Sequence, residues 1–221
     1  MIYGYLIAIL IIIYIIFLCF KSFKKNEFNM FWFNFVKYSF GWILKFYYNY
    51  KVLNKVEFPE EGPVILCGNH IHIMDQCLPI LELKRPVHYM AKIEYFNDKK
   101  TRWFFKNTGC IPVNREIKDD FAKSSALDVL NKGLVLGIFP EGTRNKTEEL
   151  LQPFKFGTVS MAKKTNATIV PFAITGTYKF RSKDLKLKFG KPFKVGELSL
   201  EEANDKLFNI ILELIKENKG I

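Results

Sequence analysis

From about Pro59 to Phe189 the chain repeats one pattern: a short β-branched or apolar run, then a segment of helical character. The runs fall at residues 64–67, 87–91, 111–113, 134–139, 169–174 and 185–189, with the clearest helices at 119–132 and 158–165. Apolar runs this short are strands buried on both faces, and strands alternating with helices predict an α/β layer fold with a mostly parallel sheet flanked by helices. The run from Leu185 to Phe189 alternates strictly with Lys186 and Lys188, so it is expected near an edge with one wet face. Ser199 and Glu202 form a capping box, and the helix they open puts Leu200, Ala203, Leu207, Ile210, Ile211, Leu214 and Ile215 on one side. A length of 221 residues suffices for one such domain.

The N-terminus has a different character. Residues 2–20 contain no charged side chain, and as a helix they span about 28 Å, close to the hydrocarbon thickness of a bilayer. A signal peptide fits poorly, because no Lys or Arg precedes the stretch and no small-residue cleavage pattern comes after it. A retained membrane anchor is expected, with Lys21, Lys24 and Lys25 placing the rest of the chain on the cytoplasmic side. Residues 28–51 read as a second helix. Asn34, Lys37, Gly41, Lys45 and Asn49 share an arc of about 120°, opposite Trp32, Val36, Ile43, Tyr47 and Tyr50. Such a helix suits the headgroup boundary of a membrane, or packs on its own domain through its apolar face; the two can hold along different stretches. The expected division is residues 1–54 for the membrane-anchoring segments and 55–221 for the catalytic domain.

Lys plus Arg number 33 against 22 acidic residues, a net charge of +11. That favours an anionic partner, or reflects a lysine-rich composition; the lysines are dispersed, which counts against a nucleic-acid-binding module. Cys19, Cys67, Cys77 and Cys110 show neither paired metal spacing nor a disulfide framework. The Asn-x-Thr sequons at Asn145 and Asn166 are read as chance on a cytoplasmic domain.

Four blocks carry candidate chemistry. His70, His72 and Asp75 come directly after the first strand. Residues five apart diverge by about 140° on a straight helix, so His70 and Asp75 meet only if His70 sits at the strand-to-helix turn and Asp75 one turn in. The carboxylate would then fix the imidazole tautomer and leave the other nitrogen as a base. A metal reading uses His70 and His72, but Asp75 stands one place too far for the metallohydrolase pattern and only His88 remains as a further imidazole. The second block, Phe139 to Arg144, ends a strand: Pro140 stops the ladder, Gly142 permits a tight turn, and Glu141 and Arg144 are displayed at the carboxyl end. A guanidinium there suits a phosphate, or pairs structurally with Glu141. The third block delivers Arg115 from a short strand, and the fourth runs from Val170 to Gly176.

In this order, Asn-His-x4-Asp, the strand before Arg115, Phe-Pro-Glu-Gly-Thr-Arg and the Pro171 strand resemble the glycerolipid acyltransferase family, in particular its bacterial 1-acylglycerol-3-phosphate branch. The resemblance covers residues 62–194. It implies an α/β acyltransferase domain in which His70 and Asp75, the His-x4-Asp motif, form a catalytic dyad. It implies substrate-binding roles for Asn69, Glu141, Gly142 and Thr143, and phosphate contacts from Arg144, Arg115 and Lys92. The implied reaction is acyl transfer from an acyl thioester, coenzyme A or acyl carrier protein, to the sn-2 hydroxyl of lysophosphatidate. It yields phosphatidate in phospholipid biosynthesis, by direct attack and without metal or cofactor. Partners would be lysophosphatidate and membrane lipids, with no nucleic acid, at the cell membrane and with the active site on the cytoplasmic side. Cys67 and Cys77 would then be packing residues, and backbone N–H groups near a glycine the oxyanion donors. Thr143 favours lysophosphatidate over glycerol 3-phosphate, whereas His72 and Asn114 depart from the commoner residues at their positions. The alternative is a membrane-anchored metallohydrolase using His70 and His72.

Overall fold

The computed structural model describes residues 28–55 and 57–221, so the apolar run at residues 2–20 and the lysines after it lie outside the described residues. In chain order the elements are helix α1 (Met30–Tyr48), strands β1 (Lys51–Val52) and β2 (Val64–Gly68), helix α2 (Cys77–Glu82), strand β3 (Val87–Lys92), helices α3 (Glu94–Asn97) and α4 (Arg102–Asn107), strand β4 (Ile111–Val113), helix α5 (Asp120–Asn131), strand β5 (Val135–Ile138), helix α6 (Gly157–Thr165), strands β6 (Thr168–Thr175) and β7 (Lys186–Phe189), and helix α7 (Leu200–Lys219).

The strands form one seven-stranded sheet in the order β1-β7-β6-β2-β5-β3-β4. Every neighbouring pair is parallel except β6 with β7. The expected α/β architecture with a mostly parallel sheet is therefore observed. All of β2 is buried, and β6 beside it is buried from Ile169 onward, as unbroken apolar runs require. In β7 burial alternates, with Leu187 and Phe189 inward and both lysines half-exposed. Ile65, Leu136 and Ile169 face the side covered by α5, α6 and α7; Leu66, Val170 and Phe172 face the other side, beneath α2. The capping box at Ser199 and Glu202 forms as expected. Leu207, Ile211 and Ile215 of α7 are buried on the sheet, each worth roughly 1.5–3 kcal/mol.

Helix α1 settles which of its faces meets the domain. Trp32, Phe33, Lys37, Gly41 and Leu44 are buried. A Cβ on Gly41 would lie 2.4 Å from Leu81 Cδ2, so any larger residue there must displace the Leu81 side chain of α2. The Lys37 ammonium donates to the Leu83 carbonyl. Burial lowers its pKa, opposed by the carboxylate of Glu82. The opposite face stays exposed and is aromatic: Phe31, Phe35, Tyr38, Trp42 and Phe46, with Trp42 at 74%. Among the described residues no helix is long and apolar enough to cross a membrane. The expected boundary at residue 54 falls within structure continuous with the sheet. Strand β1 pairs with β7, and the Asn54 amide brackets Phe189, donating to its carbonyl at 2.8 Å and accepting from its N–H at 2.9 Å.

Five strands, β2 to β6, run the same way, so their carboxyl ends share one edge of the sheet. That edge gathers the loops leaving these strands.

Candidate active site

The loop leaving β2 is anchored before any reactive group appears. Asn69, buried, gives its amide N–H to the Ile174 carbonyl and takes the Ile174 N–H, both at 2.8 Å. These bonds extend the β2–β6 ladder by one side chain and set where His70 emerges. Gly68 is required in the same turn, because a Cβ would collide with the ring and carbonyl of Phe172 at 2.5 Å.

His70 then stacks on Phe139, at the end of β5, with ring centroids 4.1 Å apart and planes 12° apart. Its Nδ1 lies 2.8 Å from Asp75 Oδ2. Asp75 is fully buried. Its Oδ2 also accepts the N–H groups of Ile71 at 2.6 Å and His72 at 2.7 Å, while Oδ1 accepts the Tyr178 hydroxyl at 2.6 Å. Four donors converge on one carboxylate, which offsets the cost of burying it. With two backbone N–H groups already on Oδ2, the proton between the pair sits on Nδ1, leaving a lone pair on Nε2. The expected meeting of His70 and Asp75 occurs, but Asp75 lies in the turn before α2 rather than one turn into a helix.

The Phe139–Arg144 segment braces this turn. Glu141 is buried; its Oε1 accepts the His70 N–H at 2.7 Å and its Oε2 the Gln152 N–H at 3.0 Å. Burial pushes its pKa up against the pull of those two donors. The Asn145 N–H meanwhile donates to the His70 carbonyl at 2.7 Å. Gly142 turns the chain with φ 73° and donates to the Phe139 carbonyl at 3.0 Å. Asn69 and Glu141, for which the family resemblance implies substrate-binding roles, also brace this turn. Their polar atoms are spent on backbone groups, and both residues hold His70.

A cavity of about 580 Å³ opens beside His70. Met90, Val113, Ile138, Phe139 and Met161 give it apolar walls, and Arg115, Lys118, Lys123 and Lys155 bring positive charge to it. Of the expected phosphate ligands, Arg115 lines this cavity together with Gly142. Lys92 is exposed at the end of β3, paired in the sheet with cavity-lining Val113. Arg144 and Thr143 are exposed outside the cavity wall. Arg144 acts on His72, whose pKa is lowered by burial, raised by Asp75 and lowered by Arg144 and His70. Of these three cations only Arg115 therefore shares the cavity wall with His70.

His72 and Tyr178 were not expected as partners of the pair. His72 stacks on Tyr178 at 4.1 Å, and its Nδ1 accepts the Met74 N–H at 3.3 Å. Tyr178 lies just past β6 at the same sheet edge as the other blocks, which is the signal that could have singled it out. Among the described residues the thiols offer no nucleophile: burial pushes Cys77 up to about 12, Cys110 up to about 11 and Cys67 higher still. Among the described residues, no three His, Cys, Asp or Glu side chains group as metal ligands.

Comparison with known proteins agrees with this geometry. The Acyltransferase family model matches residues 49–175, more than half of the chain. A 1-acyl-sn-glycerol-3-phosphate acyltransferase of Bacillus subtilis is 30% identical over 162 residues, covering 71% of this chain and 80% of that protein. One from Borreliella burgdorferi is 32% identical over 141 residues, covering 63% of this chain and 56% of that protein. The crystal structure of the 1-acyl-sn-glycerophosphate acyltransferase PlsC from Thermotoga maritima shares the fold, with a TM-score of 0.71 over 98% of this chain and 93% of that one at 23% identity. The match of the family model and the Bacillus relative over most of its length mean that this chain belongs to the acyltransferase family.

Proposed function

We propose that the protein transfers an acyl group from an acyl thioester to the sn-2 hydroxyl of 1-acyl-glycerol-3-phosphate, giving phosphatidate. The observation that carries this reading is the His70–Asp75 pair, with Nε2 unbonded beside a cavity that is apolar within and cationic around it. Nε2 takes the hydroxyl proton as the oxygen attacks the thioester carbonyl. Asp75 stabilises the imidazolium that forms. Collapse of the tetrahedral intermediate breaks the C–S bond, and the imidazolium returns its proton to the leaving thiolate. No acyl-enzyme and no metal enter the step, and the elevated thiol pKa values fit that role for Cys67 and Cys77. Arg115, Lys92 and Arg144 attract the acceptor's phosphate. The co-substrate is coenzyme A or acyl carrier protein carrying the acyl chain.

The reading extends to the membrane. Residues 2–20 anchor the chain, and the aromatic face of α1 lies in the headgroup region of the cytoplasmic leaflet. The cavity then meets its lipid substrate without the lipid leaving the bilayer.

A product assay tests the chemistry: lysophosphatidate with either thioester should yield phosphatidate, and His70→Ala should lower kcat by at least about 10²-fold. Full activity in a folded His70→Ala protein would sink the mechanism. For the membrane face, the emission of Trp42 should shift to shorter wavelength with vesicles; an unshifted spectrum contradicts the docking.

A further inference from the structure

Asp75 uses its two oxygens unequally. Oδ2 serves the His70 ring and two backbone N–H groups, whereas Oδ1 has a single donor, the Tyr178 hydroxyl at 2.6 Å. That phenol is held from three sides. Tyr48 of α1 meets its ring edge-on at 5.2 Å, and His72 stacks on it at 4.1 Å. Its loop is tied behind by Asp184, whose carboxylate accepts from Thr177 Oγ1 at 2.8 and 2.9 Å and from Ser182 Oγ at 2.7 Å. Gly176 makes that approach possible: at φ 96°, a Cβ there would lie 2.1 Å from the Asp184 carbonyl oxygen. The Tyr178 ring packs against the core beneath α2, and the same constraints aim its hydroxyl at Asp75.

We propose that Tyr178 is a positioning residue for the His70–Asp75 pair, fixing the plane of the carboxylate and tempering its charge so that His70 Nε2 remains free to accept a proton at neutral pH. This rests on the reading of His70 as the general base. Burial and the adjacent Asp75 charge push the Tyr178 pKa far up, so the phenol remains a donor throughout the working range. Without the hydroxyl, Oδ1 is buried and unpaired and Asp75 presents its full charge to the imidazole. The imidazolium form of His70 is then favoured, and the base is blocked at a higher pH than before. Other charged or titratable groups near His70 are Glu141 from the β5 exit and His72 on its own turn, on which Arg144 acts in turn, with Arg115 and Lys155 at the shared cavity. Those facing Tyr178 are Tyr48 and Cys77 besides Asp75. A Tyr178→Phe exchange leaves all of them in place.

The experiment compares pH profiles of kcat/KM for wild type, Tyr178→Phe and His70→Ala, using lysophosphatidate in mixed micelles. Tyr178→Phe should move the acid limb up by about one pH unit, a tenfold loss on that limb. Activity should return toward wild type in alkaline solution, with KM for lysophosphatidate unchanged. An unmoved limb overturns the proposal, whether activity is intact or uniformly reduced. So does a Tyr178→Phe protein that fails to fold, because the phenol then holds the chain and not the pair. Full activity of His70→Ala would instead refute the underlying reading. An inactive His70→Ala beside an unmoved Tyr178→Phe limb refutes only the role of Tyr178.

Discussion

Replacing Glu141 by Gln separates a brace from a substrate ligand. In the native protein one oxygen takes the His70 N–H at 2.7 Å and the other the Gln152 N–H at 3.0 Å. A glutamine keeps one carbonyl oxygen, so one of these bonds survives as a neutral one while its amide nitrogen faces the other N–H. Stranding a buried donor costs about 1–3 kcal/mol, and downgrading a charge-assisted bond costs roughly 1 more. A loss of about 2–4 kcal/mol fits within ordinary domain stability of about 5–15 kcal/mol, so the variant should fold. The backbone of His70 would nevertheless be released on one side, and a misplacement of about 1 Å can cost roughly 10²-fold in rate. Glu141→Gln should therefore unfold at lower denaturant in detergent solution and lose kcat by about 10- to 100-fold, with KM for lysophosphatidate within about twofold of wild type. An unchanged unfolding midpoint together with a raised KM would refute the reasoning and return Glu141 to the substrate.

Gly41→Leu should disrupt the seat of α1 on α2, because even a Cβ collides with Leu81; a lowered unfolding midpoint is expected, and an unchanged one would mean that the helix docks elsewhere. Arg144→Ala should raise KM for lysophosphatidate by about 10- to 100-fold, the scale of a charge-assisted contact, and Arg144→Lys should restore only part of it. His88 donates from Nδ1 to the Gly109 carbonyl at 2.9 Å, and burial lowers its pKa against that bond. The unfolded chain therefore takes up the proton first, so stability falls as pH drops below about 6.5, down to the lower folded value. His88→Gln should flatten that part of the stability curve, and parallel curves for the two proteins would contradict the assignment.

How much could be read in advance depends on where each signal is stored. Strands β2 to β7 were legible because runs such as those in β2 and β6 are apolar through their centres and β7 alternates, and both patterns reflect burial directly; β1, two residues long, was not. The short helices α2, α3 and α4 were not, since at four to six residues none completes two turns and no period can develop. The helical wheel of α1 did not sort its residues as the structure does: Lys37 and Gly41 of the polar arc are buried with Trp32 of the apolar one, while Ile43 and Tyr47 are exposed. A glycine and a lysine look like a wet stripe until Leu81 and the Leu83 carbonyl are in place. His70 and Asp75 were legible through their spacing and the family resemblance. The bonds of Asn69 and Glu141 to backbone groups were not legible, because residue type announces a polar role without saying which group receives it. Tyr178 depends on a contact across 103 residues of sequence, and no local pattern encodes that.

The margins of the sheet bear on how the protein withstands crowding. Its outermost strands are minimal: β1 has two residues, after which Asn54 closes the ladder with a side chain, and β4 has three with Pro112 in the middle. A neighbouring copy looking for a strand to extend finds only a few free amides on either flank, and proline withholds one of them. Open β edges seed assemblies wherever copies of a protein are concentrated and collide repeatedly. Truncated flanks leave little open β edge through which concentrated copies could join strand to strand.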